Sequence, residues 1–105
     1  MNRAVLLALA TLLILLSSTV TAATHVVLIE RMSYRLITTE EIRVGDRIEW
    51  RNRDVVPHTA TLRQGGPDIN IDPGESKTTE VTFAGDLNFY CRYHPTMELE
   101  LVVKD

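Results

Sequence analysis

The chain's only cysteine, Cys91, is followed at steps of three by His94 and Met97, inside the stretch FYCRYHPTMELELVV. A thiol, an imidazole and a thioether on one regular stride are all metal donors. A second imidazole, His58, follows Pro57 at the head of HTATL. Taken singly, each has a plainer explanation, because buried Cys and Met commonly pack and a lone His seldom ligates. Taken together they name a chemistry. Hard cations want oxygen donors, and zinc accepts Cys and His but leaves a thioether without a role. Two His and one Cys in a trigonal set, with a weak axial Met, suit copper cycling between Cu(I) and Cu(II). A scaffold that keeps one shape for both charges keeps reorganisation small when an electron moves. His58, Cys91, His94 and Met97 are therefore the candidate metal ligands. A c-type haem would need a second cysteine, and a Cys/His nucleophile would need an orienting group and an oxyanion site that no motif supplies.

Strands must bring these donors together. After the Gly45-Asp46 turn, Ile48, Trp50 and Asn52 share one face, opposite Arg47, Glu49, Arg51 and Arg53. That period of two is a half-buried strand. HTATLR alternates likewise, with His58 on the side of Ala60 and Leu62. In DLNFYC, Cys91 lies on the side of Leu87 and Phe89. In MELELVV, Met97 lies on the side of Leu99, Leu101 and Val103. HVVLIER and KTTEVTF read as further strands. RQGGPDINIDPGES reads as a loop, broken by its Gly-Gly-Pro and Asp-Pro-Gly clusters. Many short strands with such punctuation predict an all-β antiparallel sandwich. Three donors then emerge on core-facing sides near strand ends, and His94 sits in the short loop between the last two strands.

At 105 residues the chain holds one domain at most. MNR, the apolar run AVLLALATLLILL and the small residues of SSTVTAA have the layout of a secretory signal peptide cut after Ala22, with Ala23 as the other option. An uncleaved anchor is the plainer rival. Residues 1–22 are thus expected to be the signal, and 23–105 the domain. The remaining chain of about 82 or 83 residues has a core of marginal size, to which a bound metal can add stability. Without Arg3 it carries 10 basic and 14 acidic side chains, a balance unsuited to nucleic acid. Export favours disulfides, but one cysteine cannot make one internally.

IRVGDRIEWRNRDVVPHTATL, DPGESKTTEVTF and FYCRYHPTM together resemble the cupredoxins, the small type 1 copper proteins of the plastocyanin, pseudoazurin and amicyanin group. The short C-x-x-H-x-x-M loop is most similar to amicyanin. The resemblance spans nearly all of the chain after the signal. It implies a Greek-key β-sandwich, a cupredoxin domain over 23–105, with one type 1 copper ion at one end. By position His58, Cys91, His94 and Met97 would hold that ion. It also implies a periplasmic monomer, with neither a small-molecule substrate nor an enzymatic activity, that passes single electrons between transient redox partners. A c-type cytochrome, a periplasmic dehydrogenase, or an oxidase or reductase would fill that role. Two departures bear on the reduction potential. The residue after the first His is commonly Asn, which helps to pin the cysteine loop, whereas Thr59 offers only a hydroxyl. Gly is common shortly after the axial Met, where Glu98-Leu99 stand here.

Two other readings are open. A copper carrier or buffer that delivers metal to a cuproenzyme would need an open Met- or His-rich face, and only Met32 is left over for one. A chain beginning Ala23-Thr24-His25 would present a free amine with histidine third, a square-planar chelator of Cu(II) or Ni(II). The plainer reading of His25 is that it starts the first strand.

Overall fold

The computed structural model describes residues 21–105. The expected signal peptide lies outside the described residues, apart from Thr21 and Ala22. Nine strands are formed among the described residues: β1 (Thr24–Glu30), β2 (Ser33–Leu36), β3 (Ile42–Arg43), β4 (Arg47–Asn52), β5 (His58–Leu62), β6 (Asp68–Ile71), β7 (Ser76–Glu80), β8 (Gly85–Tyr90) and β9 (Glu98–Lys104). They make two sheets, one in the order β2-β1-β4-β7 and one in the order β3-β9-β8-β5-β6.

The expected sandwich is what forms, and its alternation follows the sequence. Ile48, Trp50 and Asn52 of β4 are buried, as are Leu87 and Phe89 of β8 and Leu101 and Val103 of β9. Trp50 lies at the centre, its ring 4.8 Å from Phe89 and 5.9 Å, edge-on, from Tyr34. Such aromatic contacts add to the area they bury.

Three features differ from the sequence-based picture. Two pairings are parallel, β1 with β4 and β3 with β9, so the sheets are mixed rather than wholly antiparallel. The segment expected to be a loop contains β6, whose Asp68–Ile71 pairs with β5 between its two turn clusters. The first strand is followed by β2, which hairpins back from Glu30 through a two-residue turn to Ser33. In addition, β5 is buried on both faces. Its outward Thr59 and Thr61 are covered by a polar layer described below.

One end of the sandwich gathers the β1–β2 turn, the β4–β5 loop, the β6–β7 turn and the β8–β9 loop. The β6–β7 turn closes through a bond from the Glu75 amide to the Asp72 carbonyl, with Pro73 second and Gly74 third at φ 79°. That third position demands a left-handed residue. The turn is stitched to β4 by the Gly74 amide on the Asn52 carbonyl at 2.9 Å. The other end carries the start of β1 and the 44–46 turn. There His25 is fully buried and its Nε2 lies 2.8 Å from Asp46 Oδ2, while the Ala23 amide donates to Asp46 Oδ1 at 3.0 Å. The plainer reading of His25 therefore holds: it belongs to β1, paired with β4, and a square-planar chelate would have to unpair that strand.

Candidate metal centre

The β8–β9 loop explains the three-residue stride. The His94 amide bonds the Cys91 carbonyl at 3.3 Å, and the Met97 amide bonds the His94 carbonyl at 2.9 Å. Two successive i to i+3 turns thus separate the donors, and the Cys91 amide closes the loop on the Met97 carbonyl at 3.2 Å. Cys91 leaves the end of β8 on its core-facing side, fully buried, and Met97, also buried, enters β9. His94 is half-exposed between them.

His58 comes from β5, far away in sequence, and is fully buried. Its Nδ1 lies 3.7 Å from Cys91 Sγ, and His94 Nδ1 lies 3.8 Å from the same sulfur. All three donor atoms fall within 4.8 Å of one another. An ion bound to imidazole nitrogen at ~2.0 Å and to thiolate sulfur at ~2.3 Å would give such N···S separations at an angle near ~120°. That is the angle of a trigonal His-His-Cys set, so the residues present fit the ion that their chemistry suggests. Met97 is packed in the same core cluster as Cys91.

Polar contacts surround the three donors. The Thr59 amide points at Cys91 Sγ, 3.4 Å away, and the Thr59 hydroxyl accepts the Arg92 amide at 2.8 Å. The hydroxyl at this position therefore does pin the cysteine loop. Thr61 donates to Asp68 at 2.9 Å, so the 2.9 Å contact between the two threonine hydroxyls runs from Thr59 to Thr61. Arg92 closes the circuit through its Nε on Asp68 at 2.8 Å. The Arg92 guanidinium and then the Thr61 hydroxyl hold the Asp68 carboxyl below the usual carboxylate range. From the other sheet the Tyr34 hydroxyl donates to the Thr59 carbonyl. Burial, with the Cys91 sulfur nearby, pushes the Tyr34 phenol well above its ordinary range.

Two residues that sequence reasoning passed over as site residues also belong here. Asn52, fully inside at the end of β4, donates through Nδ2 to the Val56 and Ile71 carbonyls, both at 2.9 Å, and accepts the Asp54 amide at 2.9 Å. Asp54 in turn receives His58 Nε2 at 2.7 Å, the Arg31 amide at 2.7 Å and the Met32 amide at 3.0 Å. Burial alone would raise the Asp54 carboxyl; the Met32 amide, the His58 ring and the Arg31 amide outweigh it and hold it low. A buried asparagine on a strand's core face was the available signal. Nothing in the sequence marked Asp54.

No protein-family model matches this chain. Amicyanin of Paracoccus versutus is 32% identical to it over 85 residues, which make up 75% of this chain and 64% of the relative. Amicyanin of Paracoccus denitrificans is 33% identical over 88 residues, with the same two shares. The chain thus spans just under two thirds of the length of these curated relatives. Among solved structures, a reduced Cu(I) form at pH 4 of a proline-to-glycine amicyanin mutant is 26% identical, with a TM-score of 0.64 over 83% of this chain and 86% of its own. An oxidised methionine-to-leucine amicyanin mutant is 28% identical, with a TM-score of 0.63 over 75% and 80%.

Proposed function

Because this chain is a cupredoxin of the amicyanin type, we propose that it is an exported carrier of single electrons rather than an enzyme. His58, Cys91 and His94 would hold one copper ion, with the buried Met97 beside Cys91 as a further sulfur donor. Bound there, copper supplies a one-electron Cu(I)/Cu(II) couple. The observation that carries the reading is the meeting of three donor atoms within 4.8 Å, drawn from segments more than thirty residues apart in sequence. The protein's own contribution is rigidity. Cys91 and His58 are fully enclosed, the Thr59 amide supports the sulfur, and the loop is closed by its own backbone bonds. A ligand frame held this way has little room to change shape with charge.

His94 is the exit we assign to the electron. It is half-exposed, and Pro95 and Thr96 beside it are exposed, so a redox partner could approach its ring edge. Such encounters use small, transient surfaces. Export is supported by the layout of residues 1–22. A domain starting at residue 23 is supported by the Ala23 carbonyl, which already accepts the Arg47 amide at 2.9 Å as the ladder of β1 begins. Periplasmic redox proteins, such as a c-type cytochrome or a dehydrogenase, are the class of partner this arrangement suits.

The test is to add Cu(II) to the purified chain beginning at Ala23 and record visible and EPR spectra. A strong thiolate-to-copper band that vanishes in Cys91→Ser is expected. A colourless adduct unaffected by Cys91→Ser would reject the reading. Should Cu(I) pass readily from the site to a chelator, the carrier function would replace the electron shuttle.

A further inference from the structure

We infer that Asp46 is the seat of the mature amino terminus: cleavage after Ala22 frees the Ala23 nitrogen as an ammonium that pairs with this buried carboxylate. The inference rests on the export reading above and deepens it, naming where the cut end goes and what it does for the fold.

Asp46 carries a charge that no cation matches among the described residues. It is 7% exposed. Its oxygens accept from the Ala23 nitrogen at 3.0 Å, the Arg43 amide at 2.9 Å and His25 Nε2 at 2.8 Å. The first two donors are neutral backbone groups. The third is a ring whose proton sits on Nε2, because an ionised carboxylate only accepts. Its Nδ1 is buried without a hydrogen-bond partner, so a second proton there would go unsatisfied. The Arg43 guanidinium turns instead to Glu41 and to the Asp105 carbonyl. A nearly enclosed carboxylate in this setting gains from a cation at hydrogen-bond distance.

The Ala23 nitrogen is the atom placed to become that cation. A signal peptidase hydrolyses the Ala22–Ala23 peptide with one water. The water oxygen completes a carboxylate on Ala22, and both hydrogens end on the Ala23 nitrogen, giving an ammonium at neutral pH. One N–H stays on Asp46 Oδ1. The other two replace the bond to Ala22, beside a groove that Thr21 and Ala22 line with Glu41, Arg43 and Asp105.

The position of the cut matters to the residue. A cut after Ala23 removes this nitrogen and also the Ala23 carbonyl, which accepts the Arg47 amide at 2.9 Å. A cut before Ala22 leaves a neutral amide on Asp46 and puts the charge on an exposed residue. Only the cut after Ala22 sets the charge on the carboxylate. The same seat occupies the first donor of the square-planar chelate that Ala23-Thr24-His25 could otherwise form.

The experiment compares the chain beginning at Ala23 with one beginning at Ala22, each with Asp46 and with Asp46→Asn. His25, Glu41, Arg43 and Asp105 also face this end; they are common to both chains, so the difference belongs to the amine. The pH dependence of the ¹³C shifts of residue 23 should show the Ala23 ammonium titrating about one unit above the ordinary α-amino range. In Asp46→Asn it should return to that range. A value raised on folding stabilises below the unfolded value, and the gain is lost as pH rises through the folded one. At pH 6.5 the chain beginning at Ala23 should therefore have a folding constant about tenfold larger than the chain beginning at Ala22, and the two should converge near pH ~10. An amine titrating in the ordinary range, a shift that survives Asp46→Asn, or equal folding constants at pH 6.5 would overturn the inference, as would an exported chain whose mass places its start at Thr24. A mass that retains residues 1–22 would instead defeat the export reading, and the titration would still judge the seat on Asp46.

Discussion

Thr59 uses every polar atom it has on the site: its amide faces Cys91 Sγ, its hydroxyl takes the Arg92 amide, and its carbonyl takes the Tyr34 hydroxyl. Thr59→Val keeps the shape and removes only the hydroxyl, so the Arg92 amide loses its acceptor. The expected cost is about 1–3 kcal/mol, read as a lower urea midpoint, with a weaker grip on copper because the cysteine loop loosens. An unchanged midpoint would show the hydroxyl to be incidental. At this scale the candidate donors were legible because few side chains bind soft metals and three of them stood on one stride, and the fold brings His58, Cys91 and His94 together. The supporting groups were not. Asp54 is one acid among 14, and its role depends on where the Arg31 and Met32 amides point. Thr59 could be read as a departure from a common pattern, but the position of the Arg92 amide, which makes its hydroxyl sufficient, is a matter of three-dimensional placement.

The β4–β5 loop carries both Asp54 and His58, and its shape is set by Asn52. Replacing Asn52 with Leu would leave the Val56 and Ile71 carbonyls and the Asp54 amide without their partner. The expected loss is about 3 kcal/mol or more, seen in chemical denaturation of the metal-free protein; a loss below 1 kcal/mol would mean that the loop holds itself. Legibility at this scale followed periodicity. The strands β4, β8 and β9 announced themselves by alternation. By contrast β2 offers only Tyr34 as a buried residue in four, too short a run to read, and β6 is enclosed by two turn clusters that look like an unbroken loop. Its Asp68–Ile71 is a strand because the edge of β5 needs a partner, a demand made by the sheet. The parallel pairings β1–β4 and β3–β9 are likewise long-range choices that no local pattern announces.

For the whole molecule, two ends have separate duties. At the end away from the metal, Asp46 joins the start of β1 to the 44–46 turn. Burial would raise its carboxyl, but His25, the Arg43 amide and the Ala23 amide together hold it below the ordinary value. A carboxyl lowered on folding contributes stability above its unfolded value, near ~3.9, and loses it as pH falls through the folded value. Asp46→Asn should therefore be less stable than the unsubstituted chain at pH 6, and the gap should close below about pH 4; a gap constant with pH would contradict the link. At the metal end, Pro95→Glu or Thr96→Glu should slow electron exchange with a redox protein while leaving the copper spectrum intact. Equal rates would move the exit away from His94. Metal also matters to a core this small: copper at a hundredfold excess over its Kd should add about 2.7 kcal/mol, lost again on chelation. Voltammetry of the copper-loaded chain tests the central claim most directly, because a frame that fits both charges must pass an electron with little rearrangement. We expect a reversible one-electron wave whose oxidised form carries the thiolate-to-copper band and whose reduced form retains its copper. An irreversible wave, with metal lost or the band failing to return on reoxidation, would contradict it.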